Sequence, residues 1–183
     1  MERIAIDMDE VMSHFSKKCL QLFNKQYKES YTVDHLHGKL LNDLDPRFAE
    51  SVPNFLTEDD FFINLDVVEG SQKVIQQLTE RYEVYIVTAA MEFPSSMGPK
   101  YKWLKKHFPF LNEQNFVFCG DKSIIQADYL IDDTPKNLQT FKGKGLLFSA
   151  PHNMNVQEYT RLNNWSEVAQ YFCHENFKTP SVR

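Results

Sequence analysis

Short apolar runs ending in a charged or hydroxyl residue recur along this chain, separated by stretches of helical spacing. That alternation constrains the fold more than any other feature. Arg3–Asp7 (RIAID), Glu83–Thr88 (EVYIVT), Asn115–Cys119 (NFVFC), Asp128–Asp132 (DYLID) and Gly145–Ser149 (GLLFS) read as strands. They are apolar on both faces, as strands buried from both sides require. Between them, Ser71–Glu80 carries Val74, Ile75 and Leu78 on one stripe, and a helix opening at Pro99 carries Tyr101, Trp103, Leu104 and Phe108. Further helices are expected from Pro135 and from near Ser166. The class is α/β, a parallel sheet flanked by helices.

The interval from about Ser13 to Leu65 differs. Phe15, Cys19, Phe23 and Tyr27 have helical spacing, polar connections follow, and no buried strand precedes Phe61-Phe62. It reads as a small helical cap, residues 15–65, inserted after the first strand of a core made of 1–14 and 66–183. A run of ordinary peripheral helices would give the same periodicity.

Composition narrows the function. A chain of 183 residues, 42% hydrophobic and rich in Phe, can build one domain with a core. A net charge of -5 argues against a nucleic-acid polymer as partner. Cys19, Cys119 and Cys173 lack metal or disulfide spacing and suit a reducing compartment. No apolar run approaches the roughly 18 residues of a membrane span, and no basic-then-apolar leader precedes the first strand. A soluble, cytoplasmic protein is expected, with no membrane partner; a homodimer is left open.

In parallel α/β sheets, ligands bind beyond the carboxyl ends of the strands. There the runs offer Asp7 and Asp9, then Thr88, then Asp121 and Lys122 after Gly120, then Asp132 and Asp133. Each has a bland reading: an acid pair is usually turn chemistry or a helix cap, and a lone lysine is usually solvated. Two acid pairs at one edge alter the balance, because like charges so close need a compensating cation. Oxygen ligands without nearby His or Cys point to Mg²⁺. With it, Asp7 can act as a carboxylate nucleophile and Asp9 as general acid and base. Thr88 and Lys122 can bind and neutralise phosphoryl oxygens. Lys100, at the start of a helix, is a second candidate for that charge, although a solvated first-turn lysine is the simpler reading. Glu10 reads as a solvated turn residue, and His14 as a base made redundant by Asp9. The other histidines show no ligand spacing.

At these residues the sequence resembles the haloacid dehalogenase superfamily of phosphatases, through "DMDEV", "IVTAA", Lys122 and "LIDDTP". Within it, "DMDEVMSHF", "FFINLDVVEGS", "VTAAM", "KYKWLKKHF" and "GDKSIIQADYLIDDTP" resemble the 5′(3′)-deoxyribonucleotidases. The resemblance implies a Rossmann-like core with an inserted helical cap, Mg²⁺ dependence, and dephosphorylation of deoxynucleoside monophosphates. It implies Asp7 as nucleophile and metal ligand, Asp9 as acid/base binding metal through its backbone carbonyl, and Asp133 as the metal carboxylate with Asp132 behind it. Phe15 matches an aromatic near the substrate base. The family commonly has Gly at Glu10 and Ser at Ala89, and the cap between Tyr27 and Leu56 aligns poorly. A phosphatase for another small ester, such as a sugar phosphate, and a non-catalytic binding protein are the competing readings.

Overall fold

The computed structural model describes residues 1–58 and 60–175. In chain order the elements are β1 (Arg3–Ile6), α1 (Phe15–Tyr27), α2 (Leu41–Leu44), α3 (Phe48–Leu56), α4 (Ser71–Thr79), β2 (Glu83–Thr88), α5 (Met97–His107), β3 (Phe116–Phe118), β4 (Tyr129–Asp132), α6 (Pro135–Thr140), β5 (Lys144–Phe148), β6 (Thr160–Leu162) and α7 (Trp165–Glu175). The strands form one sheet in the order β3-β2-β1-β4-β5-β6, every pairing parallel. Chain progression reverses between β1 and β4, the place in such a sheet where connections leave to opposite faces and a ligand crevice is expected.

Strand periodicity divides the core between two faces. Ile4, Ile6, Val84, Ile86, Ile131, Leu146 and Phe148 point into the larger cluster. Ala5, Val87, Leu130 and Leu147 point into the smaller one. Ile4, Ala5 and Ile6 are wholly buried, which makes β1 the central strand; burial of each Ile there contributes about 1.5–3 kcal/mol. On the larger side α4 contributes Val74, Ile75 and Leu78, α5 Trp103 and Leu104, and α7 Val168 and Phe172. α6 covers the smaller side with Leu138.

The segment between β1 and α4 contains α1, a 3₁₀ turn at Val33–Leu36, α2 and α3. Its Phe23 and Phe48 stack at 3.7 Å, and both belong to the cluster that also contains Ile4 and Ile6. Apolar packing is therefore continuous from sheet to insert. Both ends of the insert are tied to the core by buried indoles: Trp165 Nε1 donates to Val11 O at 2.9 Å and Trp103 Nε1 to Leu65 O at 2.8 Å.

Several expectations shift. β3 is the shorter Phe116–Phe118 and is half-buried, as an edge strand covered on one side only, and β1 and β4 each lose one end residue. α5 begins at Met97, so Pro99 is its third residue, a position whose N–H would lack an intrahelical partner anyway. The fifth strand runs Lys144–Phe148, one residue earlier than read. The edge strand β6 was not anticipated; it has three residues, of which only Leu162 is buried.

Candidate active site

β1 ends at Ile6, and the Asp7 N–H donates to Ile131 O at 2.9 Å, joining the first acid to the tip of β4. Asp7, Asp132 and Asp133 are all buried, and one carboxylate oxygen of each lies within 4.8 Å of the others. Lys122 enters from the 3₁₀ turn after β3, which Asp121 caps by accepting the Ser123 N–H at 2.8 Å. Its buried ammonium donates to Asp7 Oδ1 and, at 2.7 Å, to Asp132 Oδ2.

The two acids of β4's tip have different surroundings. Asp132 also accepts from the Thr134 N–H at 2.8 Å and from Asn137 Nδ2 at 3.1 and 3.2 Å. Its hydrogen-bonding capacity is engaged with protein. Among the described residues no donor hydrogen-bonds the Asp133 carboxylate, although His152 Nε2 stands 3.4 Å from its Oδ2. Asp7 and Asp133 line the cleft and Asp132 lies behind them.

Electrostatics agree with that division. Burial pushes the Asp7 carboxyl above the usual range, against the pull of Lys122. Asp133 is pushed well up, first by burial and then by the charges of Asp7 and Asp132. Burial alone would lower the Lys122 ammonium, but Asp7 and Asp132 together raise it. Three buried carboxylates against one ammonium, all with oxygen donors, fit a hard divalent cation such as Mg²⁺ and not zinc.

A second polar pair faces the first. Lys100, from the first turn of α5, donates to Asp9 Oδ2 at 2.6 Å and to Thr88 Oγ1 at 2.9 Å. Its ammonium also lies 5.0 Å from the centre of the Phe62 ring, a cation–π contact. Lys100 is therefore no solvated first-turn residue; it is 4% exposed. Its helix buries Trp103 and Leu104 on the same face, so i, i+3, i+4 spacing was the available signal.

Glu10 is likewise not a solvated turn residue. It has φ +61°, uncommon for a residue with a side chain, and its carboxylate accepts the Ser16 backbone N–H at the start of α1. Burial pushes its pKa up to about 7. His14 lies outside the main cleft, and it is His152 that reaches the acid cluster. Sequence reasoning also missed Asn137, because nothing in its spacing announces a bond to Asp132.

These groups share one cleft of about 720 Å³. Asp7, Asp9, Thr88, Lys100, Lys122 and Asp133 make its polar floor, and Phe15, Leu36, Leu41, Leu56 and Phe62 its apolar wall. Phe15 is braced edge-on by Phe61 at 5.6 Å. Every residue expected at the site from sequence lines this cleft except Asp132.

Comparison with known proteins assigns the family. The model of the family described as 5′ nucleotidase, deoxy (pyrimidine), cytosolic type C protein matches residues 2–176. The chain belongs to this family. It is 46% identical over 171 residues to a putative 5′(3′)-deoxyribonucleotidase of Staphylococcus epidermidis, covering 93% of this chain and 96% of that protein. It is 39% identical over 168 residues to the 5′(3′)-deoxyribonucleotidase of Bacillus subtilis, covering 90% and 95%. Among solved structures, a haloacid dehalogenase family hydrolase from Deinococcus radiodurans, with bound phosphate and sodium, superposes with a TM-score of 0.65 at 11% identity, covering 99% of each chain. The last likeness concerns the fold. Family membership makes the chain a phosphatase and removes the non-catalytic reading.

Proposed function

We propose that this phosphatase is Mg²⁺-dependent and hydrolyses deoxynucleoside monophosphates to nucleoside and phosphate through an aspartyl-phosphate on Asp7. One observation carries the reading: Asp7 and Asp133 are buried side by side in a cleft also lined by Phe15, Leu36, Leu41, Leu56 and Phe62. A phosphate group fits the floor and a nucleobase fits the wall. The names of the family and of the Bacillus subtilis and Staphylococcus epidermidis relatives support the same substrate class.

Asp7, Asp133 and the Asp9 backbone carbonyl would hold Mg²⁺, which when bound supplies positive charge against the carboxylates and the phosphoryl oxygens. In the first step an Asp7 carboxylate oxygen forms the bond to phosphorus as the ester P–O bond breaks. Asp9 gives its proton to the departing sugar oxygen. In the second step Asp9 takes a proton from water, the water oxygen attacks phosphorus, and the Asp7–phosphorus bond breaks. Lys122, already on Asp7, offsets part of the burial that raises the nucleophile's carboxyl. Thr88 and Lys100 are at hand for the phosphoryl oxygens, the electrostatic contribution that dominates such transfers.

We read residues 15–65 as a cap, because Phe15, Leu36, Leu41 and Leu56 of that segment line the same cleft as the acids. Phe15 is the aromatic nearest in sequence to the acids and would face the base. The cytoplasm suits this reading, since Cys19 and Cys119 are free and buried.

The test is phosphate release against 5′- and 3′-nucleotides, ribo and deoxy, and sugar phosphates, with Mg²⁺ or with EDTA. Turnover of deoxynucleotides that stops with EDTA and returns with Mg²⁺ is expected. Turnover of sugar phosphates alone would overturn the substrate, and full activity in EDTA would overturn the metal.

A further inference from the structure

Beyond β5 the chain makes a 3₁₀ turn, Pro151–Asn153, whose last residue is 1% exposed. Asn153 uses both its donors and its acceptor oxygen. Nδ2 donates to Asp133 O at 2.7 Å and to Phe148 O at 2.8 Å. Oδ1 accepts from the Ala150 N–H at 3.2 Å and from Arg161 Nη1 at 2.9 Å. Arg161, on β6, also donates to Asn153 O at 3.0 Å, so the asparagine is itself held from behind. The neighbouring His152 places Nε2 3.2 Å from Asp133 O, and since a carbonyl can only accept, this ring nitrogen carries the proton.

The Asp133 carbonyl and the Thr134 N–H belong to one planar peptide unit. Asn153 and His152 grip its oxygen while Asp132 Oδ1 accepts its N–H at 2.8 Å. The plane is thus fixed from both edges. This matters because no donor among the described residues hydrogen-bonds the Asp133 carboxylate, whose place is set by its main chain. With no hydrogen bond on the carboxylate itself, the partners that orient it act on the main chain behind it.

We propose that Asn153, assisted by His152, is the positioning residue that pre-organises Asp133 for Mg²⁺, acting through the Asp133 carbonyl. The proposal rests on the reading of Asp133 as the metal carboxylate. It brings the β5–β6 connection, which the family motifs quoted above do not include, into the metal site.

The experiment is calorimetric titration of Mg²⁺ alone into metal-free protein, with turnover measured at saturating Mg²⁺. Asn153→Asp keeps the acceptor oxygen and turns the donor into a second oxygen facing two carbonyls. It should weaken Mg²⁺ binding by about 10-fold or more, while turnover at saturating Mg²⁺ stays within about threefold of the parent. His152→Leu should weaken binding and His152→Gln, which retains an N–H donor, should restore it. Mg²⁺ binding by Asn153→Asp within about twofold of the parent would overturn the proposal. If that variant fails to fold by circular dichroism, the histidine pair decides: equal affinities for Leu and Gln would overturn it. Asp133→Asn separates the two layers. Unchanged Mg²⁺ affinity in that variant would sink the metal-site reading itself, whereas weakened binding there with normal binding in Asn153→Asp would sink only the proposal.

Discussion

Two buried lysines divide the charge at the sheet edge. Lys122 holds Asp7 and Asp132, and Lys100 holds Asp9 and Thr88. Removing the second should therefore damage chemistry more than folding. Lys100→Met keeps the apolar stem over Phe62 and deletes the charge; we expect turnover to fall about 10²–10³-fold with the protein still folded. Turnover within about threefold of the parent would show that Lys100 only packs. At this scale the acids, Thr88 and Lys122 were legible as candidates, because each stands at the end of an apolar run or within three residues of it. Glu10 was not legible: neither the sign of its φ nor a partner six residues away leaves a periodic trace. Asn153 and His152 were hidden for a similar reason, since they act from an irregular turn on a main-chain atom.

At the level of elements, the insert has its own electrostatic clamp. Arg47, just before α3, donates to the Asp45 carboxylate through Nε at 3.0 Å and Nη2 at 2.6 Å and through its backbone N–H at 2.9 Å. These bonds, Arg47's side chain first, hold the Asp45 carboxyl down at about 2. A depressed carboxyl stabilises the fold above its unfolded value near 3.9, and the contribution is lost as pH falls through about 2. Asp45→Asn should therefore lower the melting temperature at neutral pH, and its gap from the parent should close as pH drops from about 4 to about 2. A gap that does not change over that window would contradict the clamp. Element positions were mostly readable because both-face burial gives a strand an uninterrupted apolar run. β6 escaped because a short edge strand buries too little to leave one, and the start of α5 was misplaced because Pro is tolerated throughout a helix's first turn.

The whole molecule turns on β1. It is the central strand, it carries Asp7 at its tip, and the chain leaves it through a loop whose Val11 carbonyl is fixed by Trp165. The return path is tied at Ser13–Val67 and by Trp103 on Leu65. Insert and sheet both line the cleft that holds the acids. The α/β class and the converging strand ends could be argued from sequence alone, whereas strand order could not, because it depends on pairings between residues distant along the chain. The wall of the cleft was illegible for the same reason: Leu36, Leu41 and Leu56 meet only after folding. The central claim is that Asp7 is the nucleophile of a deoxynucleotide phosphatase. Its most direct measurement is phosphate release from a deoxynucleoside monophosphate at saturating Mg²⁺ by the parent and by Asp7→Asn. The account predicts a loss on the order of 10³-fold or more in the variant; release at a rate near the parent's would contradict it.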